Sequence, residues 1–244
     1  PYLFSRASES LAGRISIFEV PSLKINEILA KPLSSFYELL HSGCNLKDLG
    51  ELTPMYGIDN LYQFILKGFY PEVNYQEKYS NLNLVDEWFR GYFQTYISQD
   101  IRALFPGLKL ESYRLLIRML SELSGQQINV SDIARSLSVS EGTIRNYLEI
   151  VSGTYIWQKI PSYQRSTMRS IMKMPKGIIR DVGLARHLCF VSSVEQLHQS
   201  PKLGNLFESF VIEELVKGFE IISNFQLQYS HYRTRAGVEV DFII

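Results

Sequence analysis

Through most of this chain apolar residues recur every three to four positions, and only short stretches alternate, so the pattern predicts a mainly helical protein with small sheets. Residues 14–20 alternate like a strand that Pro21 ends. Helical spacing returns over 33–49, through Leu33, Phe36, Tyr37, Leu39 and Leu40, and over 59–67, with Pro54 and Gly57 between. Residues 68–84, with Pro71 and many polar positions, read as a loop. From 85 to 105 the pairs Trp88/Phe89, Tyr92/Phe93 and Tyr96/Ile97 with Ile101 and Leu104/Phe105 predict a long amphipathic helix, which Pro106 and Gly107 end. Burying one large apolar side chain is worth about 1.5–3 kcal/mol, so this stripe reads as a core anchor rather than a cofactor platform. Asp100 and Arg102 near its end form either a switch or an interdomain salt bridge.

The next stretch has a local signature. A helix over 113–123 is broken by Gly125, Asn129 or Ser131 caps a short second helix with Ile133, Ala134 and Leu137, and Ser140 caps a third over 141–151 with Ile144, Tyr147, Leu148 and Val151 facing inward. Residues 155–163 and 170–179 have strand character around a polar tip at 164–167. Helix, short helix, turn, helix and two strands predict a winged helix-turn-helix. If it meets duplex DNA, Thr143, Arg145 and Asn146 on the third helix face the groove, with Glu149 beside them, and Arg165 and Arg169 at the wing reach phosphate. Seven basic residues (159, 165, 169, 173, 176, 180 and 186) face one acid, Asp181, in that region, a local excess suited to phosphate. Glu141 and Glu149 repel phosphate, which leaves a protein-contact role open. Asp181 is positioned to cap a helix over 182–188, with Gly183 allowing close packing.

Toward the end, Leu206, Phe207, Phe210, Val211 and Leu215 predict one buried face of a helix over 203–215, with Glu208, Glu213 and Glu214 pointing elsewhere or lying at its edge. Residues 232–244 read as a hairpin turning at Ala236-Gly237. Asp241 lies in its second strand, where an acid is costly unless it pairs, binds metal or lies at the sheet's end.

Composition narrows the class. The 244 residues are 45% hydrophobic and 20% charged, and 25 basic and 25 acidic residues cancel, as in a soluble, cytoplasmic chain of about two domains. No apolar run approaches the ~20 residues of a membrane span, so no membrane partner is expected. Cys44 and Cys189 read as buried free thiols, and His41, His187, His198 and His231 lack the spacing of a zinc site.

The ordered landmarks carry a resemblance. L-F-E-S-F-V-I-E-E-L followed by Y-R-T-R-A-G-V-E-V-D-F-I-I is similar to the C-terminal region of prokaryotic AAA+ superfamily ATPases, a domain of unknown function that resembles restriction-endonuclease-like modules. Ser10–Arg14 resembles the end of the ATPase core, Gly68–Glu72 its G-G-x-P-E element with Phe69 in place of the second glycine, and Trp88, Phe89 and Tyr92 with Asp100–Arg102 its W-F-x-x-Y…D-I-R helix. Pro175-Lys176 with Asp181, Gly183 and Leu184 resembles its P-K-x-x-x-x-D-x-G-L segment.

That resemblance implies a chain cut at both ends. It has no initiator Met and no G-x-x-x-x-G-K-[ST] phosphate cradle. The family's Walker segments lie upstream of the position of Ser10, and its E-x-K downstream of Asp241. The expected fold is α+β and predominantly helical: a remnant of the P-loop ATPase core over 1–30, a helical connector over 31–108, a winged helix-turn-helix over 109–180, and the start of a restriction-endonuclease-like module over 181–244. Arg14 then senses a nucleotide phosphate or pairs with a neighbouring carboxylate. By residue-level match Glu208 and Asp241 are the catalytic, Mg²⁺-binding acids of an incomplete nuclease-like site, and Glu208 alternatively pairs with Arg233 or Arg235. This chain is expected to bind no cofactor and to have no activity alone, with ATP and Mg²⁺ belonging to the full-length ATPase, which forms homo-oligomers through its ATPase part. The implied role is ATP-dependent handling of double-stranded DNA. The alternative is a regulatory or assembly protein whose winged helix and inactive nuclease-like domain contact other proteins.

Overall fold

The computed structural model describes residues 19–163, 174–223, 227–234 and 237–244. Its helices are α1 (Ile25–Ile28), α2 (Ser35–Ser42), α3 (Leu46–Gly50), α4 (Ile58–Lys67), α5 (Pro71–Tyr75), α6 (Leu82–Thr95), α7 (Arg102–Leu104), α8 (Leu110–Glu122), α9 (Val130–Ser136), α10 (Glu141–Gly153), α11 (Val182–Leu188), α12 (Val194–Gln199) and α13 (Leu203–Ile222). The strands are β1 (Gln126–Gln127), β2 (Trp157–Ile160), β3 (Lys176–Ile179), β4 (Ser230–Arg233) and β5 (Glu239–Ile243). The fold is α+β and mostly helical. The strand expected over 14–20 lies outside the described residues apart from Glu19 and Val20, which have no regular structure.

Local chemistry sets the element ends. Gly43 at φ 80° splits the helix expected over 33–49 into α2 and α3. The expected loop over 68–84 is instead largely helical, because Pro71 occupies the first turn of α5 and a 3₁₀ turn, Glu77–Ser80, leads into α6. The α6 helix runs through a π-turn, Tyr96–Ile101, into α7, so the long aromatic helix forms, and Phe89, Phe93, Tyr96, Ile97 and Ile101 are buried. Asn129 accepts from the Ser131 and Asp132 amides, and Ser140 from that of Thr143, capping α9 and α10.

One hydrophobic cluster runs from Ile25 through α4, α6, α8 and α10 to Phe210 of α13. Phe69, the residue where a glycine was expected, stacks on Phe64 and Phe210 within it. A three-stranded antiparallel sheet, ordered β1-β3-β2, backs α8 and α10. The β4–β5 hairpin joins it through a parallel bridge from Ser162 to His231, and Ile160, Ile178, Ile212 and Val216 fill the space between sheet and α13.

Two glycines form a backbone-to-backbone seam. Asp181 accepts from Leu184 N at 2.9 Å, capping α11, and from Phe69 N at 2.7 Å. At Gly183 a Cβ would lie 2.6 Å from Gly68 Cα, so the backbones touch only because neither carries one. Burial raises the Asp181 carboxyl above the usual range, against the two amide hydrogen bonds.

Candidate functional site

Three carboxylates converge on one lysine where α13, β3 and β5 meet. Lys176, at the start of the central strand β3, is 2% exposed, and every position of that strand is buried. Its Nζ donates to Glu208 Oε1 at 2.9 Å and to Asp241 Oδ1 at 2.8 Å, and lies 2.8 Å from Glu239 Oε1. Glu239 and Asp241 are two apart along β5 and so share a face, while Glu208 comes from the second turn of α13. The side chains of Glu208 and Glu239 are mostly covered, whereas that of Asp241 is 62% exposed.

The cluster's electrostatics follow from its ratio of charges. Burial pulls the Lys176 ammonium down, but hydrogen bonds to Asp241, Glu239 and Glu208 outweigh it and hold the ammonium well above the usual lysine value. Glu208 moves up as well: burial raises it, the Lys176 hydrogen bond and charge oppose, and Asp241 and Glu239 add repulsion. One cation gains from three acids, while each acid gains from one cation and loses to two neighbours. Beside them, burial pulls the enclosed His231 below the ordinary histidine value, and the Lys176 charge adds to that. His231 Nε2 lies 3.4 Å from Gln127 Nε2.

Carboxylate oxygens are the right donors for Mg²⁺, yet this arrangement does not fit one. Among the described residues no group of three or more His, Cys, Asp or Glu is placed to hold a metal ion, and the Lys176 ammonium stands where the cation would. No catalytic step follows from the cluster as it is built.

The structure thus brings the two sequence-named acids, Glu208 and Asp241, together. Glu208 pairs with Lys176 in place of Arg233, which sits 3.7 Å from Glu239, and Arg235 lies outside the described residues. Asp241 lies within β5 but is exposed there and pairs with Lys176, so it is not a desolvated acid. Pattern reading missed Lys176 and Glu239, although the alternation of Glu239 with Asp241 on one strand was a usable signal. On α13, Phe207 is 44% exposed, whereas Ile212 and Glu213 are buried. The helix is covered on two sides, by the main core and by the sheet, so its buried arc is wider than one stripe.

The expected basic surface over 159–186 is corrected too. Lys176 is enclosed by acids, Arg180 ion-pairs Glu19 and Glu213, and the fully buried Arg186 ion-pairs Asp86 and donates to Leu66 O at 2.6 Å. Of the described members only Lys159 is exposed. Arg165, Arg169 and Lys173 lie outside the described residues, as does Arg14. On α10, Ile144, Tyr147, Ile150 and Val151 are buried, Arg145 and Asn146 are exposed, and Thr143 is half-buried. Arg145 sits 3.3 Å from Glu141, an exposed pair that holds it weakly. Cys44 and Cys189 are half-buried free thiols. No helix among the described residues is long and apolar enough to cross a membrane.

Comparison with known proteins places the cluster across two matched segments. Residues 58–195, which include Lys176, match a family described as Domain of unknown function (DUF8612), and residues 203–244, which include Glu208, Glu239 and Asp241, match Domain of unknown function (DUF4143). Two similar proteins are Uncharacterized protein Rv2008c of Mycobacterium tuberculosis (strain ATCC 25618 / H37Rv) and Uncharacterized protein Mb2031c of Mycobacterium bovis (strain ATCC BAA-935 / AF2122/97). Each is 26% identical over 244 residues, covering 100% of this chain and 47% of the relative. The chain therefore spans about half the length of the curated relatives it matches. No solved structure matches it.

Proposed function

We propose, for a chain that belongs to the Domain of unknown function (DUF8612) family, a role as the nucleic-acid-holding part of an AAA+-type, ATP-driven protein. In this reading α8, α9 and α10 with β2 and β3 form a winged helix, α10 lies against duplex DNA, and the module around Glu208 and Asp241 is nuclease-like in shape but closed by Lys176. The observation that carries it is α10 itself: its inner face is spent in the core, while its outer face leaves Arg145 and Asn146 uncovered. The ordered motifs of the chain and the match of residues 203–244 to DUF4143 support the ATPase connection. ATP, Mg²⁺ and homo-oligomer formation belong, in this proposal, to the whole protein.

An electrophoretic mobility assay tests it with a labelled duplex at low salt. Asn146→Glu, which places another acid beside Glu149, is expected to weaken binding at least ~10-fold, and the chain with Mg²⁺ is expected to leave the duplex uncut. Unchanged binding by the variant, or none by the parent chain, would remove α10 as the contact.

A specific observation favours a second reading, a regulatory or assembly role through protein contacts. The cations Lys176, Arg180 and Arg186, which the sequence offers to phosphate, are spent on internal acids. Duplex binding that fails at every salt concentration would favour it.

A further inference from the structure

With the 176–186 cations turned inward, the uncommitted cations lie beside α7 and α8. A cleft of about 800 Å³ opens between the π-turn and α7 on one wall and the start of α8 on the other, and Arg102, Lys109 and Arg114 all line it. None of the three makes an ion pair within the described residues, and Nε of Arg114 is buried without a hydrogen-bond partner. Glu111 is the one acid in the lining, so the walls carry a net charge of three minus one, or two positive, in a chain whose total is zero.

Leu108 and Lys109 also line a second cleft, of about 670 Å³, which reaches Ser140, Thr143 and Asn146 at the start of α10. The first turns of α8 and α10 both border this surface. The first turn of α8 has no side-chain cap, which leaves amide N–H groups for an anion.

We infer that Arg102, Lys109 and Arg114 hold the phosphate backbone of a duplex lying along α10. This rests on the nucleic-acid reading above and deepens it, because it moves the phosphate contacts from the expected wing to the cleft beside the start of the third helix. A duplex is the occupant the surface fits: unpaired cations extend beside an exposed helix face, and backbone contacts set register while the helix meets the groove.

Fluorescence anisotropy of a labelled duplex, titrated with the whole chain across about 50 to 200 mM salt, tests it. Three phosphate contacts predict a slope of about −2.7 in log affinity against log salt, a loss of about 40-fold over that range. Arg102→Gln and Lys109→Gln, both at exposed positions, should each reduce the slope to about −1.8 and the loss to about 12-fold. Lys47→Gln, outside the cleft, should change neither, and circular dichroism should show all variants folded. If Asn146→Glu abolishes binding while Arg102→Gln and Lys109→Gln bind with the parent slope, the cleft assignment is overturned and the α10 reading stands. If the folded parent chain binds no duplex at low salt, both fall. A labelled nucleoside triphosphate that binds in place of the duplex, with the same dependence on Arg102 and Lys109, would assign the cleft to a free phosphate and overturn the duplex assignment.

Discussion

Lys176→Met keeps the aliphatic reach of the side chain and deletes the ammonium that three acids share. Removing one partner of a buried ion pair costs about 3–5 kcal/mol. Here water reaches the acids to different extents, from 23% for Glu208 to 62% for Asp241, so the low end, about 3 kcal/mol, applies. In a chain of this size that lowers Tm by about 6–12 °C. The loss should depend on pH with a definite sign. Without the ammonium Glu208 loses the partner that opposes its burial and keeps the repulsion of Asp241 and Glu239, so its folded-state pKa, already raised, rises further. An acid raised on folding holds its proton better in the native state, so the stability it contributes is present at low pH and lost as pH rises through the carboxylate range. The deficit of the variant is therefore full at about pH 7 and shrinks toward about pH 4.5. Urea unfolding followed by circular dichroism at both pH values measures it. Glu208→Gln alone should cost less than Lys176→Met, because Lys176 keeps two acids and the repulsions of Glu208 with Asp241 and Glu239 disappear. A loss below about 1 kcal/mol at neutral pH, or a deficit that does not shrink in acid, would refute the reasoning.

Two further outcomes follow from packing and burial. Gly183→Ala places a methyl 2.6 Å from Gly68 Cα and 2.8 Å from Phe89 Cζ, so urea unfolding should show a loss of about 1–3 kcal/mol; a neutral result would mean the two backbones separate freely. The His231 imidazole, depressed by burial, should stay neutral as pH falls through the ordinary histidine range, where the unfolded chain already takes up the proton, so the stability it contributes at neutral pH is lost progressively from that range down through its lower folded value. An NMR titration giving a pKa at or above about 6.5 would contradict its burial.

What the sequence made legible was local. The caps by Asn129, Ser140 and Asp181 depend on an amide two or three residues away, and all three form. The aromatic helix over 85–105 was readable because its stripe faces one core. Misreadings arose where the decisive contact is distant. A helix covered on two sides defeats a one-stripe reading, which puts Glu213 away from the buried face or at its edge although it lies inside with Arg180 and Lys217. Counting cations along 159–186 suggested a basic surface, because nothing in that window reveals Asp86 or Glu208 as internal partners. In the candidate site, Asp241 stands out as an acid in an apolar strand, whereas Glu208 is named only through the residue-level match to the resembling family. Lys176 was not singled out, since its role appears only when positions 32 and 65 residues away fold onto it.

Lys24 is buried against Glu214, donating to its side-chain and backbone oxygens at 2.9 Å across 190 residues of chain. That distance is also a delay. A ribosome adding about 5–20 residues per second needs roughly 10–40 s to travel it. Through that interval the Lys24 ammonium stays in water and Tyr37 lacks the Glu214 carbonyl that accepts its hydroxyl proton. The helices α1 and α2 therefore cannot reach their final packing on synthesis of their own residues; they wait for α13.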